Sequence, residues 1–309
     1  MMLSRRETEI LDYLVARKAC VKDIAKALGM RQPNATKYLN KLAAHGLVNA
    51  AKQGRKKEIS LSPSAWFGLS TIRSGFPSLR LSEIFIGYVP FLLAFLKERR
   101  EFRLNDIDIP SATAKRLLGR LRHLGIISMP KKGTYHLREQ AEIVAGFCRN
   151  VLMQVHSTQA KSELGYVDHG IYSFDSAREI EAIFVTYKEA EHKGYWPTFY
   201  SVAYEYGLQL LPSGKFYYVV KEKKPDLGEI IIHTLALQKN IHGIIYASYL
   251  ALHNKYEAKA LLKKKQTYGL GKEYIGGFAK FIETRGKVPF GGLKSLDEVR
   301  SLGYGAVQG

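Results

Sequence analysis

The sequence predicts an α+β fold for this chain of 309 residues. Three observations carry the prediction. Helical periodicity followed by a two-strand pattern occurs near the N-terminus, the same pattern returns 79 residues later, and strand and helix patterns alternate after about residue 165. Hydrophobic residues make up 46% and charged residues 24% of the chain, which is typical of a globular protein with a sizeable core. At this length we expect two or three domains.

Three helices are predicted in the first 46 residues. The first follows a capping sequence in which Ser4 stands three residues before Glu7. The second spans residues 21–28, and the third spans residues 32–45, with Ala35, Leu39 and Leu42 on its inner face. Gly46 ends the third helix.

Two strand patterns, at residues 47–50 and 58–61, flank a basic turn at residues 53–57. Three helices and a hairpin in this order predict a winged helix-turn-helix. The stretch from Arg31 to Leu39, followed by Leu42 and Gly46-Leu47-Val48, resembles the recognition helix of the ArsR and MarR families of bacterial and archaeal repressors. The resemblance covers about residues 4–63 and implies a DNA-binding module.

A second copy of this pattern follows the first. Residues 35–48 align without a gap on residues 114–127, and a first helix at 91–96 and a shortened second helix at 104–107 precede that segment. Ser111 is the expected cap of the third helix.

Strand patterns at 126–129 and 134–137 complete the second copy, with a second basic wing at 130–133. We therefore predict two tandem winged helix-turn-helix domains followed by an α+β C-terminal domain. The predicted segments are a first winged helix at 1–63, a linker at 64–79, a second winged helix at 80–138 and the C-terminal domain at 139–309.

The positive charge is concentrated in the first part of the chain. Residues 1–138 carry 26 Lys and Arg against 10 Asp and Glu, which accounts for +16 of the total +19. A local excess of this size favours a polyanion partner over general solubility. Together with the winged-helix pattern it predicts binding to double-stranded DNA.

In a winged helix the third helix enters the major groove and the wing contacts the backbone. Amide side chains suit bidentate contacts with adenine. The predicted base contacts are Gln32, Asn34, Thr36, Lys37 and Asn40, and the predicted phosphate contacts are Arg31, Lys41, Arg55, Lys56 and Lys57. The alternative is that these residues form a solvated face used for protein contacts.

The second repeat has small residues, Ser111, Ala112 and Thr113, where the first has amides. Its cationic side chains do not distinguish between bases, so we expect this repeat to bind the phosphate backbone. The predicted phosphate contacts are Lys115, Arg116, Arg120, Arg122, Lys131 and Lys132. The alternative is that this repeat braces the first or forms a dimer seam.

The C-terminal half begins with a long helical pattern in which Ile143, Phe147, Val151 and Val155 recur every fourth residue. Such a stripe fits either a core or a homodimer seam. Further patterns predict strands at 182–186, 208–211 and 216–220, a turn at 212–214, and helices ending at His192 and at 227–238, 241–254, 257–268 and 274–284.

Segments 206–212, 216–218, 229–235 and 265–270 are similar to the C-terminal half of AbiE-type antitoxin proteins. Those proteins are winged-helix repressors that also neutralise a nucleotidyltransferase toxin. The likeness spans about residues 180–285 and implies an alternative function, an antitoxin that binds a toxin and regulates its own promoter. A chain with two winged helices departs from the usual form of that family.

No motif predicts an enzyme, a metal site or a cofactor. Gly269-Leu270-Gly271-Lys272 lacks the spacing of a P-loop, and Asp106 and Asp108 are expected to be helix caps. The histidines at 233, 242 and 253 lack the spacing of metal ligands. An aromatic group that could stack on single-stranded bases is expected to be core instead; its members are Trp196, Tyr200, Tyr204 and Tyr206.

The compartment predicted from the sequence is the cytoplasm. Two cysteines, Cys20 and Cys148, are too few for disulfides to stabilise a chain of this size. The N-terminus lacks the apolar core of a signal peptide, and the apolar run at 84–96 is too short to span a bilayer. The predicted partner is double-stranded DNA. A second copy of the chain and a protein partner, either the transcription machinery or a toxin, are further candidates.

Overall fold

The computed structural model describes residues 3–53, 56–99, 101–210, 214–264 and 266–301. The chain divides into two compact units. Unit 1 comprises residues 1–159 and 176–179, and unit 2 comprises residues 160–175 and 180–309. The sequence patterns place the corresponding boundary at residue 139, whereas the structure continues unit 1 along a helix that packs into its core.

Unit 1 begins with three helices and three strands. They are α1 (Arg5–Ala16), β1 (Ala19–Cys20), α2 (Val21–Ala27), α3 (Gln32–Ala44), β2 (Val48–Gln53) and β3 (Lys56–Leu61). The predicted capping box is confirmed: Ser4 Oγ accepts from Glu7 N at 3.3 Å, and Ser4 N donates to Glu7 Oε2 at 2.5 Å. The predicted inner face of α3 is also confirmed, because Ala35, Leu39 and Leu42 are buried.

The three strands form an antiparallel sheet in the order β1-β3-β2. Ile59 of β3 lies opposite both Ala19 and Ala50, so the central strand fixes the register of its two neighbours. The hairpin β2–β3 was predicted from the sequence, and β1 was not. A two-residue strand gives too little alternation to detect.

The predicted linker is instead a helix, α4 (Pro63–Gly75), followed by a short helix, α5 (Leu81–Ile84). Ser62 caps α4, proline stands at its first position, and Ala65, Leu69 and Ile72 are buried at helical spacing. This stretch contributes to the core of unit 1, so the linker assignment is corrected.

A second series of elements follows: α6 (Val89–Lys97), β4 (Glu101–Arg103), a 3-10 helix (Leu104–Asp106), α7 (Ser111–His123), β5 (Ile127–Lys131) and β6 (Thr134–Leu137). The sheet order is β4-β6-β5, which matches the arrangement of β1-β3-β2. Ser111 is the first residue of α7 and not its cap; Pro110 holds the cap position and supplies no side-chain hydrogen bond.

The long helix α8 (Glu142–Leu164) carries the stripe that the sequence left open between core and dimer seam. Phe147, Val151 and Val155 are buried in the same apolar cluster as Leu11 and Leu118. The stripe is therefore core in this chain.

Unit 2 contains an antiparallel sheet of four strands in the order β7-β8-β10-β9. The strands are β7 (His169–Ser173), β8 (Glu181–Thr186), β9 (Tyr195–Pro197) and β10 (Phe216–Val220). The helices are α9 (Leu227–Leu237), α10 (Ile241–His253), α11 (Lys272–Glu283) and α12 (Leu296–Ser301), and all four contribute to one apolar cluster.

Several predicted elements of unit 2 differ in the structure. No helix precedes His192, because Thr186 Oγ1 donates to Lys188 O at 2.6 Å and Ala190 N donates to Tyr218 Oη at 2.8 Å, which hold a bent loop. Residues 208–210 are not a strand, and the helix predicted at 257–268 is reduced to a 3-10 helix, Ala258–Lys263. Pro212 and Ser213 of the predicted turn lie outside the described residues.

Within the part of the chain that the structure describes, no helix has both the length and the apolar character that a membrane span requires.

Candidate nucleic-acid interface

The outer face of α3 holds all five side chains predicted to contact bases. Gln32, Asn34, Thr36, Lys37 and Asn40 are exposed, while the opposite face is buried. α3 contains no acidic residue. The face therefore presents amide, hydroxyl and ammonium groups with no carboxylate to repel a phosphate backbone.

Successive residues of an α-helix are rotated by about 100°. On α3 this rotation places Thr36, Lys37 and Asn40 near the middle of the exposed face, with Gln32 and Asn34 at its two edges. Thr36 Oγ1 donates to Gln32 O at 3.0 Å, so its hydroxyl acts toward a ligand as an acceptor. Asn40 and Lys37 are exposed on this face.

The N-terminus of α3 suits an anion. Arg31 holds the cap position and makes no side-chain capping bond, and Pro33 stands in the first turn. Pro33 has no N–H and Asn34 N donates to Arg31 O at 3.0 Å, so the helix dipole, with the positive charge of the exposed Arg31, is what favours a phosphate at this end.

Lys41 forms an ion pair that the sequence did not predict. Its Nζ lies 2.8 Å from Glu7 Oε1, and the Glu7 side chain is fully buried on α1. Because a buried carboxylate needs a partner, Lys41 has a structural role in this ion pair, and its contact with phosphate stays a prediction. Burial and the charge of Lys41 lower the pKa of the neighbouring His45, so that histidine adds no charge at neutral pH.

Part of the predicted wing lies outside the described residues. Lys57 is exposed on β3, opposite Lys52 of β2. Arg55 and the side chain of Lys56 belong to the part that is not described.

On the second series of elements, Lys115, Arg116 and Arg122 of α7 are exposed, and so are Lys131 and Lys132 of the β5–β6 hairpin. α7 also lacks acidic residues and a side-chain cap. Arg120 differs from these cations because its Nη2 lies 3.7 Å from Glu83 Oε1 on α5. That contact ties α7 to α5.

The two aspartates of this region have different roles. Asp106 caps the 3-10 helix, since its Oδ2 accepts from Arg103 N at 2.7 Å. Asp108 is not a helix cap: Oδ1 accepts from Ala177 N at 2.9 Å and Oδ2 from Ser176 Oγ at 2.6 Å. It fixes residues 176–179 to unit 1, a contact between distant segments that the local sequence could not reveal.

Most of the aromatic group in unit 2 is packed. Trp196 Nε1 donates to Lys221 O at 3.1 Å, and the Tyr200 ring lies 3.8 Å from the Phe199 ring between centroids. Tyr206 packs against the apolar cluster of unit 2. Tyr204 departs from the expectation of core packing because it is 70% exposed.

His233 on α9 belongs to a buried polar network that the sequence did not predict. Its Nδ1 lies 2.7 Å from Thr198 Oγ1 and its Nε2 3.4 Å from Glu181 Oε1, which also accepts from Tyr268 Oη at 2.7 Å. Burial alone would raise the pKa of Glu181. The hydrogen bond and charge of His233, with Lys221 and Tyr268, lower it overall. Glu181 is therefore charged at neutral pH and stabilises the packing of α9 on β8.

The family model described as "Bacterial regulatory protein, arsR family" matches residues 6–50. The match covers α1, α2, α3 and the start of β2, and it identifies the N-terminal segment as a helix-turn-helix of the kind found in those regulators. No curated protein matches the chain. The likeness of residues 180–285 to AbiE-type antitoxins therefore has no support beyond the sequence pattern.

Proposed function

We propose that this protein is a sequence-specific, double-stranded DNA-binding transcription regulator that reads its site with α3. One observation carries the proposal. The helix-turn-helix matched by the arsR family model exposes an α3 face of amides, hydroxyl and lysine that is free of carboxylates. A face of that chemistry fits the major groove.

Each group on α3 has a chemical role in this proposal. Asn40, at the middle of the face, is the first choice for a bidentate contact with adenine, and Gln32 and Asn34 contact bases at the two edges. Lys37 reaches a guanine edge or a phosphate. Arg31, at the positive end of the α3 dipole, binds a phosphate beside the groove. Lys57 and the rest of the wing contact the backbone.

The finer part of the proposal is that α6 to β6 form a second winged helix-turn-helix. Two features support it: the same succession of helices and strands as in the first module, and the same sheet order. The exposed cations of α7 and its hairpin, beside the small residues 111–113, favour contact with phosphates and not with bases.

We further propose that the protein is a binding protein without catalytic residues or a cofactor, and that it acts in the cytoplasm. For the network around His233, the support is that Thr198 and His233 are closed to solvent and so to a substrate. Among the described residues, no observation favours the antitoxin alternative over plain regulation.

The test begins with selection of bound duplexes from a random library by the full-length protein, followed by anisotropy titration of the selected site and a scrambled site. Replacing Gln32, Asn34 and Asn40 by alanine together should lower the ratio of specific to non-specific affinity by at least about tenfold, because each lost bidentate contact is worth ~1–3 kcal/mol. Binding to the scrambled duplex should change little.

Gln140→Ala is the matched control, because Gln140 is an exposed amide outside α3. It should leave the ratio unchanged. If the triple variant keeps the wild-type ratio, or if the library yields no enriched sequence, α3 does not read bases and the proposal is wrong.

A further inference from the structure

Unit 1 contains a cleft of about 680 Å³ that the proposed DNA contacts do not use. It is lined by residues of α1, by the segment from Arg80 to Gly87, which includes α5, and by Arg120 of α7. A volume of this size suits a small organic molecule.

One part of the cleft is apolar. Leu3 and Phe85 are buried and form part of its wall. Ile86, next in sequence to Phe85, is 52% exposed. When an apolar group covers an aliphatic side chain that is this exposed, the free energy of the system falls.

The charged part of the lining is positive in balance. Its two carboxylates are already paired with arginines: Glu9 with Arg5 and Arg6, at 2.9 and 2.8 Å, and Asp12 with Arg73 at 3.0 Å. Asp12 Oδ2 also accepts from Leu81 N at 3.3 Å.

Arg80 differs from the other arginines of the lining. Within the described residues, its guanidinium has no carboxylate within 4.0 Å, whereas Arg120 is loosely paired with Glu83 at 3.7 Å. Arg80 acts on Asp12 of the same lining only at longer range, and Asp12 is already paired with Arg73. A guanidinium without a close carboxylate beside an apolar wall matches a ligand that has a carboxylate or sulfonate head on an apolar body.

We propose that this cleft binds a small amphipathic organic anion, with its apolar body against Phe85 and Ile86 and its acid head on Arg80. Arg120 lies in the same lining and supplies a second positive charge. Because α1 and α7 both contribute to the wall, a bound molecule restrains the two series of elements relative to each other. The proposal does not depend on DNA binding.

The probe is 1-anilinonaphthalene-8-sulfonate, titrated by fluorescence into the full-length protein, with the stoichiometry measured by calorimetry. We expect one saturable site. Arg80→Gln and Ile86→Asp should each raise the dissociation constant about fivefold. Such a change is expected for the loss of a partly exposed charged contact or of an apolar contact. N-phenyl-1-naphthylamine, which has the same rings without the sulfonate, should bind at least about threefold more weakly.

Arg138→Gln and Ile241→Asp are the matched controls, since both residues are exposed and lie outside the cleft. They should bind the probe like the wild type, and melting curves should show that all four variants are folded. The proposal is overturned if the two cleft variants also bind like the wild type, or if the neutral amine binds as tightly as the sulfonate.

Discussion

At the scale of single residues, the ion pair between Lys41 and Glu7 joins the proposed recognition helix to α1. The Glu7 side chain is fully buried, and it accepts from Ser4 N as well as facing the Lys41 ammonium. Lys41 is 33% exposed, so only its partner is removed from water. The ion pair therefore supports the orientation of α3 on α1.

Lys41→Met should lower the free energy of unfolding by about 2 kcal/mol, because it leaves the buried Glu7 carboxylate without a counter-charge. Urea denaturation of the full-length protein measures this change. The double variant Lys41→Met with Glu7→Gln should recover part of the loss, since no buried charge remains.

Lys37→Met is the control from the same helix. Lys37 is exposed and has no role in packing, so its replacement should change the free energy of unfolding by less than about 0.5 kcal/mol. Equal losses for the two lysines would contradict the role assigned to Lys41.

At the scale of elements, α4, which lies in the segment predicted as a linker, packs closely against α8. Gly68 lies on α4 where an added Cβ would stand 2.5 Å from Phe147 Cδ2 of α8. The Phe147 ring is buried and meets Phe85 edge to face, with 5.9 Å between centroids. It has little room to move away from a larger residue.

Gly68→Ala should therefore destabilise the protein by about 1–3 kcal/mol through overpacking, despite the better helix propensity of alanine. Gly119→Ala makes the same exchange inside α7, where nothing lies within 4 Å of the added methyl group. It should stabilise by about 0.5–1 kcal/mol. Thermal unfolding of both variants measures whether each exchange lowers or raises the stability. If neither variant is less stable than the wild type, α4 does not pack on α8.

At the scale of the whole molecule, the charge of +19 is unevenly placed, with +16 in residues 1–138. Affinity for duplex DNA should therefore fall steeply as salt rises, by a slope that counts the phosphates contacted. The second series of elements has five exposed cations on α7 and its hairpin. If they contact phosphates, they contribute to the dependence of affinity on salt.

A variant with four glutamines, at Lys115, Arg116, Lys131 and Lys132, should reduce the slope of log affinity against log salt by at least about 2, since each phosphate contact contributes about 0.9. The ratio of specific to non-specific affinity should stay unchanged. The control replaces four exposed lysines of unit 2, Lys223, Lys239, Lys272 and Lys280, by glutamine. If both variants shift the slope equally, the effect is one of net charge and the second series does not touch DNA.

Local signals in the sequence were strong enough to predict most of unit 1. The capping box at Ser4, the buried positions of α3 and the glycine at its end depend on residues within a few positions of one another, so one sequence reveals them. α4 had comparable signals in Ser62, Pro63 and its apolar spacing. The sequence therefore carries a helix signal of its own in the stretch between the two repeats.

By itself the sequence determined the helix-turn-helix, its exposed polar face and the placement of the positive charge, because periodicity, caps and composition are local properties. Only the tertiary structure decided that Lys41 pairs with Glu7, that Asp108 holds residues 176–179 and that the α8 stripe is core. It also brought Phe85, Ile86 and Arg80 together with α1 and Arg120 around one cleft. These contacts join residues far apart in the chain, and burial, which gives a charge or an apolar side chain its partner, exists only after the chain has folded.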